Sequence, residues 1–216
     1  MTTVKNLGRA DYEATFASMR DFTDRRGADT PDEIWLLEHA PVFTLGLNAD
    51  RSHLLAPGNI PVVQVDRGGQ VTYHGPGQLV AYTLIDLQRS KLGIRDLISA
   101  LENSVIALVA DFGIEASARP DAPGVYVDGA KLASVGIRVR RGCSYHGLAL
   151  NVDMDMQPFT RINPCGFEKL AVTQLAELGA PTDMQAIGAS LADTLLSNFA
   201  RPRSPNADRG PGRSAR

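Results

Sequence analysis

The spacing of apolar positions divides the chain into helical and extended stretches. Ile94, Leu97, Ile98, Leu101, Val105, Leu108, Val109 and Phe112 recur at intervals that lay one stripe along a helix. That stripe predicts a core-facing helix over Ile94–Phe112, ended by Gly113. Tyr12, Phe16, Met19 and Phe22 predict a second helix over residues 11–26, before Gly27. A third starts at Thr182, whose hydroxyl can cap while Gln185 reaches back, and Ile187, Leu191, Leu195 and Phe199 continue its buried face. Glu33–Leu37 and Val42–Leu47 read as strands bracketing His39-Ala40-Pro41, and Val62–Val65 as another. Val71–Tyr73 and Leu79–Leu84 flank the turn-rich His74-Gly75-Pro76-Gly77. Val125–Val127 and Lys131–Arg140 predict a hairpin, because the intervening Asp128-Gly129 suits the positive φ angles of a tight primed turn. Cys143–Val152 follows as a strand, with Gly142 in the turn before it. Strands in the middle with helices flanking them predict an α/β (α+β) fold, a single domain over residues 1–200.

Composition narrows the class. The chain has 216 residues, 44% apolar and 21% charged, which is globular material with room for one sizeable core. Twenty-two basic against 24 acidic residues give −2, which argues against a strongly basic nucleic-acid binder. No apolar signal core follows Met1, and no segment approaches ~18 uncharged apolar residues, so the expectation is a soluble, cytoplasmic protein with no membrane partner. Residues 201–216 hold five arginines against Asp208; this tail at +4, within a chain at −2, leaves residues 1–200 at −6. Rich in Pro, Gly and Ser and without an apolar face, it reads as disordered.

Three places can carry chemistry. Cys165 lies in Arg161-Ile162-Asn163-Pro164-Cys165-Gly166, where Pro164 removes a backbone donor and Gly166 permits a tight turn that displays a thiol; a small buried hydrophobe is the equal alternative. Cys143 lies within a predicted strand and reads as a small buried hydrophobe. A nucleophilic thiol needs a neighbouring cation to ionise at neutral pH. Lys131 sits among small and apolar residues, Gly129-Ala130-Lys131-Leu132-Ala133-Ser134-Val135-Gly136. It lies either in a partly desolvated pocket or past a strand edge with its stem alone covered, and spacing does not choose. The third place is Asp66-Arg67-Gly68-Gly69-Gln70-Val71-Thr72-Tyr73-His74-Gly75-Pro76-Gly77. Its glycines admit a close ligand or another backbone, Arg67 offers a fork for a carboxylate or phosphate, and a glycine hairpin explains it equally well locally. It is neither a dinucleotide fingerprint nor a P-loop. His39, His53, His74 and His146 lack metal-ligand spacing, so no metal is expected. Arg138 and Arg140 share a strand face, with Arg141 adjoining, and make a candidate basic docking patch.

Taken together, RGGQVTYHGPGQLVAY (67–82), GAKLASVGIRV (129–139), HGLALNV (146–152) and RINPCG (161–166) resemble the lipoyl(octanoyl) transferases of lipoate biosynthesis, over roughly residues 5–195. The resemblance implies the catalytic-domain fold shared with lipoate- and biotin-protein ligases, a mixed sheet with flanking helices. It implies that Cys165 is the acyl-thioester nucleophile and that Lys131 lowers its pKa. It further implies that Arg67, Gly68, Gly69, Gln70, Val71, Thr72, Tyr73 and His74 line the acyl-substrate site, closed by Ser134, Val135 and Gly136 and by Gly147, Leu148 and Ala149. The implied donor is octanoyl-acyl carrier protein. The implied acceptors are lipoyl domains of 2-oxoacid dehydrogenase complexes and the glycine cleavage protein. No cofactor is implied, because a thioester is already activated. An ATP-dependent ligase and a ligase-fold binding module are the competing readings.

Overall fold

The computed structural model describes residues 2–168 and 170–200, among which ten strands and three α-helices form. In chain order these are β1 (Thr2–Ala10), α1 (Tyr12–Arg25), β2 (Asp32–His39), β3 (Val42–Leu45), β4 (Val62–Gln64), β5 (Val71–His74), β6 (Gln78–Leu84), α2 (Ile94–Ala110), β7 (Ser117–Ala118), β8 (Gly124–Val127), β9 (Ala130–Arg140), β10 (Cys143–Asn151) and α3 (Met184–Ala200). The predicted arginine-rich tail, 201–216, lies outside the described residues.

A seven-stranded mixed sheet runs β1-β2-β6-β10-β9-β8-β7, with β1 parallel to β2 and the other pairs antiparallel. Strand alternation sends successive residues to opposite faces. Ile34, Leu36, Leu79, Ala81, Leu148 and Leu150 pack with α2 and α3 on one face. Trp35, Leu37, Val80, Tyr82 and Ala149 meet Met19 of α1 on the other. A small sheet, β4-β3-β5, carries its own apolar cluster around Phe43, Tyr73 and Phe159.

Local chemistry explains most element boundaries. The Asp11 carboxylate accepts the Ala14 N–H at 2.9 Å and opens α1. Asp128 (φ 47°) and Gly129 (φ 81°) make the primed turn of the β8–β9 hairpin. Three expectations need correction. The Asp183 carboxylate, not the Thr182 hydroxyl, caps α3, accepting from the Gln185 and Ala186 N–H groups at 2.9 and 3.0 Å. Ile94, placed on the buried stripe of α2, is 52% exposed because it lies in the first turn, before the helix meets the sheet. The glycine-rich segment is no hairpin: β5 pairs with β3 and β6 pairs with β2 and β10, so the turn passes the chain from one sheet to the other. Within the arginine group, Arg140 Nε donates to the Asp24 carboxylate at 2.7 Å and Arg141 to the Asp24 carbonyl at 2.8 Å. Both arginines tie the last turn of α1 to the β9–β10 hairpin, where cations offset the helix dipole.

Among the described residues, no helix is long and apolar enough to cross a membrane.

Candidate functional site

Where the small sheet meets the α1 face of the large one, a pocket opens, lined mostly by apolar atoms. Three segments frame it: Arg67–Thr72 with His74, Ser134–Gly136 of β9, and Gly147–Ala149 of β10. The Gly68 N–H donates to the Ile137 carbonyl at 3.0 Å and pins the glycine loop onto β9. Of the residues expected here, Tyr73 alone is not on the wall. It alternates with Thr72 and His74, so its ring turns away to pack on Phe43 and Phe159.

Arg67 is used differently from the expected ligand fork. Its Nη1 donates to the carbonyls of Gly68 and Gln70 at 2.9 and 3.0 Å. Its Nη2 donates to the carbonyl and hydroxyl of Thr44, both at 2.8 Å. The guanidinium therefore folds the glycine loop from within, and its charge is sunk in the cavity wall.

Four further wall residues escaped the sequence reading: Tyr12, Val80, Tyr82 and His146. Val80 and Tyr82 could have been found from alternation along β6, opposite Leu79 and Ala81. Tyr12 reads in sequence as an ordinary core residue of α1. The His146 Nε2 meets Asp66 at 3.0 Å, and its buried Nδ1 has no hydrogen-bond partner. Burial lowers the His146 pKa, against the Asp66 contact that raises it. Burial opposes ionisation of Asp66, but hydrogen bonds from His146 and Tyr145 outweigh it and hold the carboxyl below its usual range.

His74 is buried and neutral. Gln78 Nε2 donates to Tyr73 O and Asn151 Oδ1, which turns its Oε1 towards His74 Nδ1 at 2.7 Å. Nδ1 therefore holds the proton and Nε2 faces the Thr44 hydroxyl at 3.5 Å. Burial, with the positive potential of His39 and Arg67, pushes the His74 pKa down to about 3. His39 joins the same network through Tyr82 OH at 2.7 Å, and burial lowers its pKa too.

Lys131 takes the first of its two alternatives: it is 1% exposed. Its Nζ donates to the Pro123 carbonyl at 3.2 Å and lies 5.3 Å from the centre of the Tyr126 ring. Its backbone is laddered to the far end of the Cys165 loop, the N–H donating to Ala171 O at 2.8 Å and the carbonyl accepting from Thr173 N–H at 3.0 Å. Cys165 itself lies in a single 3-10 turn, Pro164–Gly166, in which the Gly166 N–H donates to Asn163 O at 3.0 Å. The Asn163 N–H donates to His53 O at 2.8 Å, fixing the turn from the other side. A methyl group added at Gly166 would touch Gln70 Cγ at 3.2 Å, so this turn abuts the cavity wall. Cys143 is buried in β10, and burial raises its thiol pKa.

With this geometry in place, comparison with known proteins decides the family. The lipoyl protein ligase A/B catalytic domain matches residues 11–196. The chain belongs to that family. Among the family's members, an octanoyltransferase of Alkalilimnicola ehrlichii is 61% identical over 189 residues, covering 88% of each chain. One from Pseudomonas syringae pv. syringae is 57% identical, covering 90% of this chain and 89% of its own. Solved structures agree on the fold. The Thermoplasma acidophilum protein Ta0514 with bound lipoic acid superposes with a TM-score of 0.75 at 12% identity, covering 92% of this chain and 86% of its own. A biotin protein ligase from Aquifex aeolicus, solved with biotin and ATP, gives 0.57 at 14%, covering 91% and 70%.

Proposed function

We propose that this chain is an octanoyltransferase of lipoate biosynthesis. It moves an octanoyl group from octanoyl-acyl carrier protein, through a thioester on Cys165, to a lysine of a lipoyl domain. The observation that carries the reading is one apolar cavity framed by the glycine loop, β9 and β10, with the Cys165 turn against its wall and Lys131 laddered to the same loop. Relatives at 57–61% identity named octanoyltransferase support it over an ATP-dependent ligase, whose solved representatives share about an eighth of the residues.

The chemistry follows from the groups present. Lys131 as ammonium favours the Cys165 thiolate, which attacks the thioester carbonyl. The C–S bond to the carrier's pantetheine breaks, its thiolate leaves with the proton of the Lys131 ammonium, and the acyl group rests on Cys165. The acceptor's ε-amine then attacks that carbonyl, a C–N bond forms, and the Cys165 thiolate is released while Lys131 in its neutral form takes the amine's proton. The thioester brings its own activation, so neither ATP nor another cofactor enters. Burying alkyl chain in the cavity contributes about 0.8 kcal/mol per CH₂, which makes chain length readable. The acceptors are the lipoyl domains of 2-oxoacid dehydrogenase complexes and the glycine cleavage protein, in the cytoplasm.

Intact-mass spectrometry after incubation with octanoyl-acyl carrier protein tests this. The expected result is one octanoyl adduct that maps to Cys165, is absent in Cys165→Ser, and passes to a lipoyl domain without ATP. An adduct on Cys143, or transfer that requires ATP, would overturn it.

A further inference from the structure

His146 holds φ +59°, in the left-handed region, yet it lies within the β9–β10 ladder, opposite Ile137. Among the described residues, three other non-glycine residues hold positive φ, Lys91, Asp128 and Arg141, and each lies in a turn. Alternation would send the His146 side chain the way of Leu148 and Leu150, towards α2 and α3. Its ring is on the opposite face instead. It stacks on Phe16 of α1 at 5.3 Å and on Tyr145 at 5.1 Å, and meets the Tyr82 ring edge-on at 6.1 Å. The orphaned, buried Nδ1 is a second cost carried by the same side chain. Strain of this kind persists where the surroundings over-determine it, and it clusters at ligand sites.

The pocket it faces has a direction. The roof is the glycine loop, with Gln70 at one end, against the Cys165 turn, and Asp66 at the other, bonded to His146. Between them the Gly68 N–H is tied to Ile137 of β9. The floor runs the same way along β9 and β10: Ser134 opposite Ala149, Gly136 opposite Gly147, then Arg138 opposite Tyr145. Lys131 Nζ belongs to the Ser134 end, because it rests on Pro123, next to Gly124, which pairs with Ser134. From Ser134 to Arg138 the strand advances roughly 13 Å. Small residues keep the floor low up to the paired glycines, and Gly147 admits no side chain, since a Cβ there would lie 2.1 Å from Ala81 O. The His146 ring then joins floor to roof: it rises from β10, meets Tyr82 of β6 and bonds Asp66 of the loop.

We propose that His146, seated by Asp66, is the end wall of the acyl pocket and fixes the longest chain the site accepts. The inference rests on the octanoyl-transfer reading above, which puts the acyl carbonyl at Cys165 and the methyl end away from it. An alkyl chain running from the Cys165 turn between the low floor and the glycine roof gains burial with each carbon until it reaches the ring. A further methylene must then displace the ring, breaking its Asp66 bond and its stacking on Phe16 and Tyr145, or stay outside the pocket. Asp66 acts on chain length through His146 and is a positioning residue. The left-handed backbone is what turns the imidazole onto the pocket face of the sheet.

The test is the chain-length profile of Cys165 acylation by small butyryl, hexanoyl, octanoyl and decanoyl thioesters, followed by mass spectrometry in wild type, His146→Gly and His146→Asn. Glycine and asparagine both accept the left-handed backbone, so each variant removes ring bulk without adding strain. In wild type, kcat/KM is expected to rise with each lengthening up to octanoyl and to fall at decanoyl. In His146→Gly the decanoyl-to-octanoyl ratio should rise about tenfold or more, since each newly buried methylene contributes about fourfold, while the hexanoyl-to-butyryl ratio keeps its wild-type value. His146→Asn fills part of the space and should give a smaller rise in the same direction; it decides the matter should the glycine variant fail to fold. An unchanged decanoyl-to-octanoyl ratio in a folded variant, or an equal loss at every chain length, overturns the proposal and leaves His146 a packing residue of β10. A wild type that takes decanoyl as fast as octanoyl overturns it too, because the pocket then has no end wall at this ring. A wild type that forms no Cys165 adduct with any of the thioesters overturns the octanoyltransfer reading itself, whereas a normal octanoyl adduct leaves that reading standing whatever the ratios.

Discussion

Acid should weaken this fold well before its carboxylates protonate, and His74 is the reason. In the unfolded chain this histidine has its ordinary pKa of 6.5, whereas in the fold it is pushed down to about 3. Because the folded value is depressed, the unfolded state binds the proton first. Stability is therefore complete above the unfolded pKa and falls as pH drops below it, until the folded pKa is reached. From about pH 7 to about pH 5 the unfolded form gains roughly 0.7 of a proton that the folded form refuses. At 1.36 kcal/mol per unit, the loss over that interval is about 2 kcal/mol from His74 alone. His39 and His146, whose pKa values are also lowered by burial, act in the same direction. Carboxylates contribute little over that interval, since ordinary Asp and Glu remain ionised in both states.

The assay is urea unfolding followed by the fluorescence of Trp35, the chain's one tryptophan, which is buried between the large sheet and α1. Wild type is compared with His74→Asn, whose side-chain amide can still donate to Gln78. The variant loses the stacking of the imidazole on Tyr12, at 5.7 Å between ring centres, and is expected to be less stable near neutral pH. Its stability should nevertheless fall by about 2 kcal/mol less than that of wild type over the same interval. Equal pH slopes in the two proteins would refute the reasoning, because they would mean that His74 takes up its proton in the folded state at no cost.

Three further outcomes follow from packing and charge. Ala149→Leu adds three carbons to the cavity wall and displaces about as many methylenes of an octanoyl chain. At ~0.8 kcal/mol each, kcat/KM for octanoyl thioester should fall more than about tenfold, while that for a butyryl thioester falls less. Asp24→Ala breaks a half-exposed pair with Arg140, so a thermal melt should show a loss within about 1 kcal/mol. Cys143→Ser should keep full transfer activity in a lipoyl-domain assay, because this buried thiol lies in the β10 ladder away from the cavity wall.

Elements governed by neighbouring residues were legible in the chain itself. The α2 stripe and the Asp128-Gly129 turn are written within a few positions, and both form where expected. β1 was not anticipated, for a physical reason. Thr2–Ala10 is exposed along almost its whole length on both faces, so its sequence carries no alternation, and its parallel pairing with β2 is a long-range event. The partner of β5 was equally hidden. His74-Gly75-Pro76-Gly77 looks locally like a hairpin turn, and only the pairing of Phe43 with Tyr73 shows that the strands on its two sides enter different sheets.

The site divides along the same line. Motif residues read in order along the chain do converge on one cavity, but the direction of each side chain depends on which strand lies beside it. Tyr73 turns to the core of the small sheet, and Arg67 spends its fork on the carbonyls of its own loop and of Thr44. Lys131 shows the limit most clearly. Small neighbours permit either a solvated or a desolvated lysine, and what decides is the cover brought over it: Pro123 and Tyr126 from one hairpin arm and Ala171–Thr173 from far along the chain. Glu102 lies further still from anything a local pattern can reveal. A glutamate in a helix reads as a surface residue, and its burial acquires meaning only because α2 packs across the start of β8. The acid that anchors the backbone beneath this lysine thus sits 29 positions before it, connected through a position that tolerates only glycine.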